Sequence, residues 1–154
     1  MPADDTPTTA TAGPVAAAGG DAGTTGEAAS VVRDVTEALA RGDLLAVMAH
    51  VSRDVEWAVC AADRGAAPWF GVYRGRRELP AMFEALSTVQ FDDFTLRRLV
   101  SDGDLVFTWL HVAFTTPGGR TVDTEEVQIW ELEGARVRRV HTLLDTAAVA
   151  AAFA

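Results

Sequence analysis

The chain has no lysine and no asparagine, one cysteine, one tyrosine and three histidines among its 154 residues. Each shortage excludes something. A lone thiol, Cys60, can close no intramolecular disulfide and build no cysteine-based metal site, which suits a reducing cytoplasm. His50, His111 and His141 lack ligand spacing, so no metal is expected. The thirteen basic residues, all arginine, are outnumbered by twenty-two acids, and the net charge of −9 lacks the basic footprint of a nucleic-acid binder. No run approaches the ~18 apolar residues of a membrane span. Gly71 and Gly75 merely flank a loop, and no glycine-rich phosphate loop follows a strand, so no dinucleotide cofactor is expected.

What is present reads as one domain behind a tail. Residues 1–27 are Ala, Gly, Thr, Pro and Asp with almost no large apolar side chain, too little to offset the entropy of ordering. They predict a disordered tail. They have neither the basic start nor the apolar run of a signal peptide. From Ala28, Val31, Val32, Val35, Ala38 and Leu39 recur at helical spacing up to Gly42, a natural stop. Asp43 caps a second helix with Leu44, Leu45, Val47, Met48 and Val51 on its apolar face. Asp54–Cys60 alternates as a strand, and a loop ending in Pro68–Arg76 follows. A third helix carries Leu79, Met82, Phe83 and Leu86, with Pro80 in its first turn. Phe91–Val100 is a strand, and Asp145 caps a short final helix, Thr146–Phe153.

Between them, Asp104–Phe114, Thr121–Leu132 and Arg136–Asp145 form an antiparallel meander punctuated by glycine. A tight turn at Gly118-Gly119 sets His111 opposite Glu126, Trp109 opposite Gln128 and Phe107 opposite Trp130, all on one face. On that register His111 and Glu126 form a base with its orienting carboxylate. Gln128 polarises a carbonyl through its amide, and indoles enclose a ligand. Cys60 has no activating base and reads as an inert core thiol.

The phrases ARGDLLAVMAHVSRDVEW (Ala40–Trp57), FGVYRGRRELPAMFEAL (Phe70–Leu86), VSDGDLV (Val100–Val106) and QIWELEGARVRRVHTLLDTAAVAAAF (Gln128–Phe153) occur in this order. Together they resemble the SnoaL-like branch of the nuclear transport factor 2 superfamily. The resemblance spans residues 28–154. It implies an α+β cone, in which a curved, mostly antiparallel sheet wraps three N-terminal helices and a short C-terminal helix follows. The superfamily holds isomerases, cyclases, hydrolases and non-catalytic binding domains, so fold and function part company. Steroid isomerases of this fold place a carboxylate base on the first strand; the matching residue is Val59, which argues against that reaction. Their oxyanion-hole acid matches Gln128, and the acid that polyketide cyclases carry on the last strand matches Thr142.

The expected function is cofactor-free proton transfer, of isomerase, cyclase or hydrolase type, on a small apolar cyclic substrate. His111, Glu126 and Gln128 would carry it. Trp57, Val59, Tyr73, Phe83, Phe107, Trp109, Trp130, Thr142 and Leu144 would line the substrate site. The alternative is a non-catalytic binding or dimerisation module of the same fold. The resemblance also implies a homodimer through the outer sheet face, at Arg139 and His141.

Overall fold

The computed structural model describes residues 26–154, so the expected tail of residues 1–27 lies, but for its last two positions, outside the described residues. Helix α1 (Glu27–Arg41) already begins at Glu27 and turns Val31, Val32, Val35 and Ala38 into the core. Gly42 ends it in the left-handed region at φ 66°, where a side chain would be strained. Asp43 Oδ1 accepts from the Ala46 amide at 3.0 Å and opens α2 (Leu44–His50).

Strand β1 (Val51–Val59) starts earlier than its alternation suggests. Val51, expected on the second helix, instead opens this strand, and its carbonyl accepts from the Arg76 guanidinium at 2.6 and 3.1 Å. The segment expected as loop contains a short strand, β2 (Gly71–Arg74), antiparallel to β1. Helix α3 (Leu79–Leu86) has Pro80 in its first turn, where the missing amide costs no bond. The long strands β3 (Gln90–Asp102), β4 (Leu105–Thr115), β5 (Thr121–Glu133) and β6 (Arg136–Leu144) follow as a meander. Asp145 Oδ1 accepts from Ala148 N at 3.0 Å and caps α4 (Thr146–Phe153).

The six strands form one mixed sheet in the order β2-β1-β6-β5-β4-β3. All neighbours are antiparallel except β1 and β6, which run parallel. The sheet curls without closing. Its concave face holds the core, with α1 against β3, β4 and β6 and α4 against β5. Trp57 and Trp130 are fully buried there and meet edge-to-face at 5.5 Å. Burying side chains of this size supplies a few kcal/mol each.

The β4–β5 register departs from expectation by one residue. Thr115 pairs with Thr121, so His111 lies opposite Glu125, Leu110 opposite Glu126 and Thr108 opposite Gln128. The cause is the turn. Gly119 N donates to Thr116 O, Thr116 N donates to Arg120 O, and Gly119 sits at φ 81°. Three residues, Pro117–Gly119, therefore separate the flanking pair, giving a turn with a glycine bulge rather than a two-residue turn. A slip of one residue reverses one strand's faces. Val106, Thr108, Leu110 and Val112 point inward, and Phe107, Trp109 and His111 point out.

A Cβ at position 119 would meet no atom within 4 Å, so a substitution there tests backbone conformation alone. Gly119→Ala should lower stability by ~1 kcal/mol and Gly119→Asn by less. Gly118→Ala, outside the left-handed region, should fall within a few tenths of a kcal/mol. Urea unfolding of the three variants reads the difference.

Candidate active site

The register brings four polar side chains, Thr108, Glu126, Gln128 and Thr142, onto the concave face. Val59, Thr142, Gln128 and Thr108 are directly paired across β1, β6, β5 and β4 and so form one row across the sheet. One row away lie Leu144, Glu126 and Leu110; on the other side lie Trp57, Val140, Trp130 and Val106. Period-two alternation puts all of these inward, and Glu126, Gln128 and Thr142 are buried.

Over this row opens a cavity of about 530 Å³. Its floor is Glu126, Gln128 and Thr142 with Val59 and Leu144. Its walls are aromatic: Trp57, Trp69, Phe83, Phe91, Phe94 and Phe114. Leu39, Arg41 and Gly42 from the end of α1 and Met82, Glu84 and Ser87 from around α3 complete it. Trp69 is fixed by edge-to-face contacts with Phe70, Phe114 and Phe153 at 5.4–5.9 Å between centroids.

Glu126 is enclosed among apolar groups. Burial disfavours its charged form and pushes its carboxyl up to about 7, partly offset by the amide of Gln128, whose Nε2 donates to Oε1 at 2.7 Å. Gln128 Oε1 accepts from Thr108 Oγ1 at 3.4 Å, and that hydroxyl accepts from Trp130 Nε1 at 3.0 Å. Thr142 Oγ1 is buried with no hydrogen-bond partner. A buried hydroxyl in this state is costly. Cys60, at φ 40°, aims its thiol at Thr142 O across 3.6 Å, and burial pushes that thiol up, so it stays neutral.

The expected site residues divide accordingly. Glu126, Gln128, Trp57, Val59, Phe83, Thr142 and Leu144 converge on the cavity. Trp130 lies behind its wall, and Tyr73 donates its hydroxyl to Trp69 O at 3.0 Å instead of reaching a ligand. Phe107 and Trp109, 40% and 45% exposed, stand on the outer face. So does His111, which therefore cannot orient or be oriented by Glu126. Its two ring nitrogens meet Asp123 Oδ1 and Asp93 Oδ2, each at 2.8 Å, and these bonds hold the imidazole above its ordinary pKa. Trp69, Phe91, Phe94, Val112 and Phe114 were missed as lining. With a three-residue turn, alternation along β4 would have found Val112 and Phe114; the bulges of β3 hide Phe91 and Phe94. Among the described residues no cluster of His, Cys, Asp and Glu could hold a metal ion, and no helix is long and apolar enough to cross a membrane.

An open, curled sheet with a buried carboxylate on the floor of an aromatic hollow defines a cone of the nuclear transport factor 2 type. Within it the chain belongs to the SnoaL-like family, whose domain profile matches residues 32–140. Similar solved structures include an NTF2-like protein from Burkholderia pseudomallei, 21% identical, with TM-score 0.74 and coverage of 83% of this chain and 98% of that one. An NTF2-like protein from Burkholderia thailandensis is 25% identical, with TM-score 0.71 and coverage of 81% and 95%. TerC, co-crystallised with polyporic acid, is 17% identical, with TM-score 0.72 and coverage of 82% and 98%. Among curated proteins no sequence matches.

The raised carboxyl of Glu126 fixes a sign for stability against pH. Between the unfolded value, 4.5, and about 7 the folded chain keeps a proton that the unfolded chain has lost. Stability from this group therefore falls as pH rises through that window, by at most ~3 kcal/mol, and is flat above it. Glu126→Gln should remove this slope and leave the variant more stable than the parent at pH 8. Urea unfolding of both proteins across the window measures it.

Proposed function

We propose that the chain is a cofactor-free enzyme that moves a proton on a small, largely apolar, cyclic molecule, with Glu126 as the base. The observation that carries this is a carboxyl near neutrality, buried on the floor of an aromatic cavity beside an unpartnered hydroxyl. A base that titrates near the working pH combines a usable ionised fraction with real proton affinity. The carboxylate takes a proton from an acidic C–H or O–H of the substrate and becomes a neutral acid, which its surroundings favour. The electron pair left behind gathers on a substrate oxygen, to which Thr142 Oγ1 donates its hydrogen. Returning the proton to a different atom completes an isomerisation; attack of the carbanion on an internal carbonyl would give a cyclisation. Trp57, Trp69 and Phe83 offer flat apolar surface to the rings. That TerC, of the same fold, was co-crystallised with polyporic acid supports a small organic ligand.

The direct test is solvent deuterium incorporation into a panel of aryl ketones with acidic C–H bonds, with binding followed by fluorescence of the cavity tryptophans. Glu126→Gln should cut incorporation by ~10²–10⁴-fold, and the rate should rise with pH to a plateau above about 7. His111→Ala, on the outer face, should leave it unchanged. Full incorporation in Glu126→Gln would overturn the assignment of the base. Ligands that quench the tryptophans yet exchange no deuterium would favour the second reading, a non-catalytic binding module, for which the unpartnered Thr142 hydroxyl serves equally well.

We further propose that the outer sheet face pairs two copies in a reducing cytoplasm. Val100, Phe107, Trp109, Val127 and Leu143 are exposed together on that face, an apolar patch of the kind that marks an interface. Arg139 beside it bonds Glu131 at 3.0 Å and lies near Glu56, charges of both signs that a twofold axis can cross-match. Light scattering should give a dimer mass for the parent and a monomer mass for Leu143→Arg; a monomeric parent would remove the proposal.

A further inference from the structure

Two residues outside the cavity determine which atom of Gln128 meets Glu126. An indole N–H can only donate, so the bond from Trp130 Nε1 to Thr108 Oγ1, 3.0 Å, makes the hydroxyl oxygen the acceptor. Trp130 is fully buried and locked edge-to-face with Trp57, so the ring cannot turn to another partner. The Thr108 hydroxyl hydrogen is left to donate, and Gln128 Oε1 receives it at 3.4 Å. With its carbonyl so occupied, the Gln128 amide presents N–H to Glu126 Oε1 at 2.7 Å. Were the amide reversed, its NH₂ would face Thr108, the hydroxyl hydrogen would lose its acceptor, and the carbonyl would face Glu126. A carbonyl there repels a carboxylate but accepts from a carboxylic acid.

We infer that Thr108 and Trp130 are positioning residues: a one-way chain of hydrogen bonds, Trp130 to Thr108 to Gln128 to Glu126, that holds Glu126 as an acceptor. The consequence is specificity by polarity. The cavity floor offers the acceptor of Glu126 and the hydroxyl of Thr142, so a ligand must bring an acidic hydrogen to the first and an oxygen to the second. Above about pH 7, where Glu126 is ionised, molecules that present only acceptors meet it lone pair against lone pair. The inference rests on the reading of Glu126 as the base only for its effect on turnover; the geometry of the chain stands apart from it.

The chain is read directly from the titration of Glu126, followed by carbon-13 NMR of the side-chain carboxyl, with the resonance assigned by its loss in Glu126→Gln. The other ionisable groups facing this carboxyl are few. Cys60, just past the end of β1, is a neutral thiol, and Arg41 from α1 and Glu84 from α3 line the cavity. None of them is altered. Thr108→Val keeps the branched shape and removes the hydroxyl, freeing the amide to reverse and favour the acid. Its midpoint should rise by about one pH unit, the order that one hydrogen bond to a charged group carries. Thr108→Ser restores the hydroxyl and should titrate as the parent does. Trp130→Phe removes the first donor and should move the midpoint in the same direction as Thr108→Val. If Thr108→Val does not fold, as judged by amide dispersion, Trp130→Phe against Thr108→Ser makes the same comparison. A Thr108→Val midpoint equal to the parent's, or a Thr108→Ser midpoint displaced as far as that of Thr108→Val, overturns the inference. Turnover separates it from the assignment of the base: a displaced midpoint with Glu126→Gln still active keeps the chain and drops the base, and the opposite pair of results does the reverse.

Discussion

The number of residues in one turn decides what this protein can do. Gly119 in the left-handed region makes the β4–β5 connection three residues long, and with period-two alternation that count fixes which side chains of β4 look inward. Thr108 comes to lie beside Gln128, and Leu110 beside Glu126. A two-residue turn would have set an imidazole beside the carboxylate instead. The carboxylate therefore has no imidazole opposite it, and its proton affinity is governed by burial and a single amide.

That environment is what distinguishes Glu126 from the other acids of β5. Asp123 and Glu125 lie on the opposite face, bonded to His111 and to the Trp109 indole, and are exposed. Two residues of the same chemical kind, neighbours in sequence, thus sit in water and in an apolar interior. Burial alone raises the proton affinity of Glu126, with no change in covalent structure. The convex face spends its charges on pairing, and the concave face retains one carboxyl whose charge is worth little to the fold. The histidine follows the same logic in reverse: on the outside, its hydrogen bonds to Asp123 and Asp93 raise its pKa and favour its charged form.

Most of the architecture was legible because local chemistry and global fold agree. Gly42, Asp43, Pro80 and Asp145 punctuate helices where their backbone preferences and side-chain oxygens say they should. The family resemblance puts Thr142 and Leu144 of β6 at the substrate site, and alternation puts Glu126, Gln128 and Trp130 on one face of β5. Strand β2 was hidden because four residues between glycines carry too little periodicity to differ from a loop. The half of the site on β4 was hidden for a subtler reason. Both of its faces are apolar or aromatic, so hydrophobicity could not choose between Trp109 and Thr108, and the choice fell to the turn. Gly118-Gly119 looks like a two-residue turn, yet Gly118 does not take the positive φ that both common two-residue turns ask of their first residue. The bulges of β3, between Phe91 and Asp93 and between Leu96 and Arg98, left Phe91 and Phe94 equally unplaced.

The parallel pairing of β1 with β6 has a kinetic meaning. The four strands from β3 to β6 are joined by short connections and can zip together locally, whereas the Cys60–Thr142 contact closes a separation of 82 residues. Long closures are slow, because chain entropy is surrendered before any contact repays it. Contact order therefore favours the meander, which sets Glu126 and Gln128 on one face, as the first part to pair. Trp57 and Val59, carried by β1, complete the wall of the hollow only when that closure is made. The raised proton affinity of Glu126 comes from burial, so it depends on the wall that this longest closure supplies.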